Sequence, residues 1–301
     1  MRVSARAAPA APAARARPRD FLALTKPRIV GLLVVTGLGS AVVAAGGWPG
    51  LAPVLAVAVG GALAAGGGGA MNAALEADLD ARMARTRGRP VPAGRISPGL
   101  ALAFGLALEV AAFALITALT NALAAALALG GAVWYALVYT LWLKRRTSWN
   151  IVVGGAAGSF PPLVGWAAVT GTLHPTAWAL AAAVFFWTPP HFWALATLLR
   201  EDYRRAAVPM LPVVADPRTV ATRMLRYAGL TLAATLAPLA WGGLGVVHGA
   251  VAAASGLWFA GECLNHRRHL SRATAGRVFW ASGLYLLLLF AGAALDRAVA
   301  G

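Results

Sequence analysis

Long uncharged windows recur along this chain, and its positive charges fall only in alternate gaps between them. A helix needs about 20 apolar residues to cross roughly 30 Å of hydrocarbon. Windows of that kind run over Ile29–Trp48, Leu51–Ala74, Gly99–Leu119 (interrupted by Glu109), Asn121–Leu143, Ile151–Val169, Pro175–Leu199 and Val278–Leu295. Residues Tyr227–Gly261 carry no Asp, Glu, Lys or Arg and are too long for one helix, so a Gly-rich break near Gly242–Gly245 divides them into two spans. The expected architecture is an all-α bundle of nine transmembrane helices. Of the 26 Lys and Arg residues, all but Arg297 lie in the N-terminal segment or after the second, fourth, sixth and eighth spans. Under the positive-inside rule this asymmetry places the N-terminus in the cytoplasm and the C-terminus in the periplasm.

The composition agrees: 59% of residues are hydrophobic and 12% charged, against roughly 25% charged in soluble domains. A formal charge of +16 would suit nucleic acid. Here the charges sit in short stretches between apolar spans, so topology and anionic lipid explain them and no nucleic-acid partner is expected. A single cysteine, Cys263, excludes an intrachain disulfide framework and a CxxC site. Residues 1–19 are rich in Ala, Arg and Pro and hold no acid. They read as a disordered basic tail ahead of one domain over 20–301. A transit peptide has a similar composition, but three prolines would spoil its amphipathic helix. Ala-, Arg- and Gly-rich usage fits a bacterial inner membrane.

Three of the chain's 10 carboxylates, Glu76, Asp78 and Asp80, sit at the end of the second span, just before Arg82, Arg85, Arg87 and Arg89. On a continuing helix Asn72, Glu76 and Asp80 are spaced i, i+4, i+8, within about 80° of one another, while Asp78 points elsewhere. Oxygen ligands on one face suit Mg²⁺, and the arginines suit a diphosphate. An exposed helix end whose acids pair with those arginines fits the spacing equally well. Emergence of this polar face from an apolar bundle favours the functional reading.

The stretch NAALEADLDARMARTRGRPVPAGRISP resembles the first signature of the UbiA superfamily of intramembrane prenyltransferases, in the form found in its heme-farnesylating members. Glu76 stands where those proteins generally carry Asp, a carboxylate one methylene longer. The resemblance continues in order through LTKPRIVGLL, YTLWLKRRTSWNIVVGGAAGSFPPLVGWAAVTG, WTPPHFWALA, EDYRRAAVPMLPVV and SGLYLLLLF, covering roughly Asp20 to Asp296.

That resemblance implies transfer of the farnesyl group of farnesyl diphosphate to a vinyl group of heme b, giving heme O and diphosphate. Asn72, Glu76 and Asp80 would be the catalytic metal ligands for Mg²⁺. Arg82, Arg85, Arg89, Lys144 and Arg145 would bind diphosphate, and Tyr139 would line the cavity. Trp187 and His191 share a helix face at i and i+4; a lone intramembrane histidine is often a helix–helix hydrogen-bond partner, while the resemblance makes His191 a heme contact, through the iron or a propionate. Asp202, with Glu201, is a candidate for a second metal or for ordering the site, although the superfamily's usual second Asp-x-x-x-Asp pair is absent. The bilayer and a downstream heme oxidase or heme A synthase are the implied partners. One rival is another UbiA-type aromatic or quinone prenyltransferase, against which PPHFW argues. The other is a transporter, which would place charges through several spans, whereas Glu109 is the only charge well inside one.

Overall fold

The computed structural model describes residues 16–300, so most of the expected basic tail lies outside the described residues. These residues contain helices and no strand. Nine long helical rods make the bundle: α2 Pro27–Ala45, α3 Leu51–Leu75, α5 Pro98–Leu119, α6 Ala122–Leu143, α7 Asn150–Thr170, α8 Pro175–Leu198, α11 Pro217–Leu236, α12 Val246–His269 and α13 Arg272–Ala300. Four short helices lie among the connections: α1 Pro18–Leu24, α4 Ala77–Arg82, α9 Arg200–Arg205 and α10 Leu211–Val214.

Seven of the nine rods are long and apolar enough to cross a membrane. The other two, α11 and α12, are the pair expected from the long uncharged segment. Their division falls where the glycines are: a 3₁₀ turn, Ala237–Trp241, ends at Gly242 with φ +68°, and α12 begins after Gly245. Both run past the apolar window into Arg218, Arg223 and Arg226 at one end and Arg267 and Arg268 at the other. Their mean hydropathy is lowered by those charges.

The first described helix begins at Pro18, inside the segment read as tail. Asp20 explains the order there. It is 5% exposed, accepts the Arg17 backbone N–H at 3.1 Å and pairs with Arg95 at 2.9 Å.

Small residues set the helix spacing. A Cβ on Gly67 would lie 2.5 Å from Glu109 Oε1 and 2.8 Å from the Gly105 carbonyl, so the glycine run Gly66–Gly69 brings α3 against α5. Glu109 lies at that contact, 5% exposed and with no hydrogen-bond partner on either carboxyl oxygen. Helices α2 and α7 meet more closely still: a Cβ on Gly165 would stand 1.9 Å from the Gly37 carbonyl oxygen. Helix α8 runs unbroken through Pro189 and Pro190. Both prolines are buried, so the backbone groups they leave unpaired face protein, as a lipid environment requires.

Backbone cannot yield at the α2–α7 contact as a side chain can. Gly165→Ala is expected to destabilise the protein by about 1–3 kcal/mol, read as a lower thermal midpoint in detergent; an unchanged midpoint would contradict this packing.

Candidate active site at one end of the bundle

Helix α3 does not continue through the acidic cluster as one rod. Glu76 leaves helical geometry at φ −108° and ψ 12°, and α4 restarts at Ala77. The hydrogen-bond pitch survives the break: Glu76 N–H donates to Asn72 C=O at 3.0 Å and Asp80 N–H to Glu76 C=O at 2.8 Å. Asn72, Glu76 and Asp80 therefore stay on the inner side, 2%, 1% and 3% exposed. Asp78 points outward. Its half-exposed carboxylate takes both guanidinium nitrogens of Arg145, at 2.7 and 2.8 Å, and Arg145 also donates to the Leu75 carbonyl at 3.0 Å. Arg145 thus braces the helix break.

One cation from a different element meets each inward group. Lys144, at the end of α6, pairs with Glu76 Oε2 at 2.5 Å. Arg89 pairs with Asp80 at 2.9 Å. Lys26, between α1 and α2, donates to the Asn72 side-chain oxygen and to the Tyr135 hydroxyl, the latter at 3.2 Å. Asn72 in turn donates to Thr140 Oγ1 at 2.9 Å. An ionised carboxylate is held in such a dry place only by pairing of this kind. Removing one partner of a buried pair costs about 3–5 kcal/mol.

The two lysines are held differently. Burial would depress the Lys144 ammonium, but the adjacent Glu76 carboxylate outweighs it and raises the pKa above the ordinary lysine value. Lys26 has only uncharged hydrogen-bond partners, and burial pulls it down to about 7. Its backbone is also left-handed, φ 54°, an uncommon conformation for a non-glycine residue. Residue spacing assigns Lys26 no role, although it lies within the LTKPRIVGLL stretch. Its backbone conformation and long-range contact were invisible there.

The aromatic wall comes from a π-helical stretch, Trp134–Leu143, within α6. Such stretches are frequent at functional sites. Tyr135 and Tyr139 stack with ring centroids 5.6 Å apart, and the ammonium groups of Lys26 and Lys144 lie 5.5 and 5.7 Å from the respective ring centres. Tyr139 fits because position 154 is glycine: a Cβ there would stand 2.3 Å from its ring.

Arg82 and Arg85 are exposed at the rim and make no ion pair among the described residues. Asp202 holds the segment that carries Arg85 in place. Its carboxylate accepts the backbone N–H groups of Ala84 and Arg85 at 3.3 and 3.4 Å. The neighbouring Glu201 is engaged by Arg204 at 2.6 Å.

Trp187 and His191 sit together on α8. The His191 ring stacks between Trp187 and Phe279, with centroids at 4.4 and 4.6 Å. Its Nδ1 is 2.7 Å from Ser282 Oγ, and that hydroxyl donates to the Phe279 carbonyl at 2.7 Å. A hydroxyl has one proton to give, so Nδ1 carries the ring proton and the Nε2 lone pair is free. Trp187 Nε1 donates to the Ser282 carbonyl at 2.7 Å. Phe279 and Ser282 were missed because they lie on α13, far along the chain from PPHFW.

No group of three or more His, Cys, Asp or Glu side chains among the described residues could hold a metal by itself. The donor set at hand is Asn72, Glu76 and Asp80. Within it Glu76 Oε1 is buried and without a hydrogen-bond partner. Two carboxylates and an amide suit Mg²⁺, which keeps several waters and shares the rest of its shell with phosphate oxygens.

The model of the UbiA prenyltransferase family matches residues 32–292. The chain belongs to the UbiA prenyltransferase family. Relatives named protoheme IX farnesyltransferase match this chain over most of its length. The one from Thermus thermophilus is 52% identical over 93% of this chain and 46% of its own length. Those from Gloeobacter violaceus and Deinococcus radiodurans are 46% and 43% identical, with 92% and 93% of this chain and 91% and 94% of theirs covered. The chain spans about half the length of the Thermus relative. Among solved structures, a digeranylgeranylglyceryl phosphate synthase shares the fold at TM-score 0.76 and 15% identity, covering 93% of this chain and 98% of that one. A UbiA homolog from Archaeoglobus fulgidus, solved with GPP and Mg²⁺, matches at TM-score 0.64 and 17% identity over 91% and 99%. These two structural likenesses concern the fold alone.

The tether at Asp202 predicts that Asp202→Ala frees the segment around Arg85. Limited trypsin digestion in detergent is expected to cleave at Arg85 and Arg87 several-fold faster than in the wild type; equal rates would contradict the tether.

Proposed function

We propose that this UbiA-family member transfers the farnesyl group of farnesyl diphosphate to a vinyl group of heme b, with addition of water, giving heme O and diphosphate. The observation that carries the reading is the pairing of Asn72, Glu76 and Asp80 with Lys26, Lys144 and Arg89 at the end of an apolar bundle. Relatives named protoheme IX farnesyltransferase, aligned over most of this chain, support the choice of substrates.

In this reading the C1–O bond of the allylic diphosphate breaks with its electron pair going to the departing oxygen. The site's cations stabilise that charge as it develops. Lys144 and Arg89 turn from Glu76 and Asp80 toward the phosphates, and Lys26 turns from the Asn72 oxygen. Arg82 and Arg85 close the rim. Arg145 acts at one remove by fixing the helix break that aims Glu76. Mg²⁺, held by Asn72, Glu76 and Asp80, would supply Lewis-acid stabilisation of the leaving diphosphate; the family homolog solved with GPP and Mg²⁺ supports this choice of ion. Tyr139 and Tyr135 wall the allylic end, where an aromatic face favours a carbocation.

Heme b is the acceptor. His191, with its Nε2 lone pair free, presents a neutral imidazole of the kind that ligates heme iron, and Trp187 and Phe279 hold the ring on both faces. The arginine-bearing end faces the cytoplasm of a bacterial inner membrane. The product leaves toward a downstream heme-modifying enzyme or oxidase.

Expression in a host that makes heme b but no heme O tests the assignment, with the extracted hemes identified by mass. Wild type is expected to yield heme O. Asp80→Ala is expected to lower the yield by at least about a hundredfold, the scale of one lost charge-stabilising group. Absence of heme O with the wild-type chain, or an undiminished yield with Asp80→Ala, would overturn the reading.

A further inference from the structure

The start of α11 and the end of α12 enclose a groove of about 420 Å³. Arg218, Arg223 and Arg226 line it from α11, and Arg267 from α12, with Thr219 and Thr222 between them. None of these four arginines forms an ion pair among the described residues, although Arg89, Arg95, Arg145, Arg204 and Arg277 all do. Asp216 is the one acid in the lining, and its side chain caps α11 by accepting the Thr219 N–H at 2.9 Å. Arg267 Nε donates to Thr222 Oγ1 at 3.1 Å, which fixes the guanidinium and leaves its terminal nitrogens available. Arg223 lies 5.6 Å from the ring centre of Trp149.

Two features of this arrangement call for a bound anion. Arg218 stands in the first turn of α11, the helix end that favours negative charge, and Arg223 and Arg226 are like charges at i, i+3. Topology signalling needs positive charge on one side of the membrane, but it needs no cavity.

The surroundings say what kind of anion. Thr219, Arg223, Arg226 and Leu230 follow one another at i, i+4, i+7 and i+11, a single helix face running from the groove onto apolar surface. Leu230 is 45% exposed, and Trp149 at the rim is 52% exposed, in the manner of aromatic residues at a bilayer interface. A ligand on this face meets guanidinium groups at one end and hydrocarbon-facing side chains at the other.

We infer that this groove binds the phosphate group of an anionic glycerophospholipid, with Arg223 and Arg267 on its oxygens and the acyl chains lying along Leu230. The site is separate from the Asn72–Glu76–Asp80 centre and shares no residue with it. The inference does not depend on the identity of the prenyl acceptor.

The full-length protein, purified in detergent, is incubated with an equimolar mixture of phosphatidylglycerol and phosphatidylcholine, and the retained lipid is identified by native mass spectrometry. Wild type is expected to retain phosphatidylglycerol selectively. The double substitution Arg223→Gln and Arg267→Gln is expected to retain at least about tenfold less, since each such charge contributes on the order of 1 kcal/mol. Arg19→Gln with Arg205→Gln removes the same charge elsewhere and is expected to behave as wild type. Arg223→Lys with Arg267→Lys, which keeps the charge, is expected to recover most of the binding and so to separate loss of the site from loss of the fold. Equal retention by the two glutamine variants would overturn the proposal. So would displacement of the retained lipid by excess inorganic phosphate with no preference for phosphatidylglycerol, because the groove would then be a site for the free anion.

Discussion

The constraint that governs this structure is the low-dielectric end of an apolar bundle, where a carboxylate stays ionised only beside a cation. Glu76 is almost wholly enclosed, and its charge is held by Lys144 at 2.5 Å. Asp80 with Arg89 repeats the motif, and Lys26 donates to the uncharged Asn72 side chain, each partner coming from another element. Each contact spans between 9 and 68 residues of sequence. The bundle must therefore be assembled before the charges are neutral, and the pairs in turn fix how α2, α3 and α6 meet. A buried pair of this sort is weak evidence for stability. Its significance is functional: an arriving anion can take over cations already in place, with little reorganisation.

The scaffold serves that centre through close contacts. Gly67 with Gly105 and Gly37 with Gly165 bring backbones within reach of one another, so the α3 terminus and its acids are rigidly placed. The π-helical stretch Trp134–Leu143 puts Tyr135, Tyr139 and Thr140 at the same end as Lys144. Two connections, one carrying Arg85 and one carrying Asp202, are tied together over the rim. The family match and the structural neighbours agree with this architecture.

Much of the fold was legible from the chain itself, because hydrocarbon thickness and charge asymmetry are one-dimensional signals. The windows, the division of the long uncharged segment near Gly242 and the inward face of Asn72, Glu76 and Asp80 all follow from spacing. Spacing treated α3 as continuous, however, and the structure breaks it at Glu76 while keeping the facing. Partner choice was not legible. Arg145, expected at the diphosphate, binds Asp78 and the Leu75 carbonyl in this structure; Asp202, a candidate for a second metal or for ordering the site, holds two backbone N–H groups. Lys26, Phe279 and Ser282 enter the site through contacts over long sequence separations, which no local pattern encodes. Glu109 is buried and unpartnered in α5, and nothing in the structure explains it.

The claim that cations stored on the acidic face are there to receive a diphosphate is tested most directly by calorimetric titration of inorganic diphosphate, with Mg²⁺, into the full-length protein and its Lys144→Gln variant. The account predicts binding by the wild type and an affinity lower by at least about tenfold in the variant, the scale of one lost charge-assisted hydrogen bond. Equal affinities for the two proteins would contradict it.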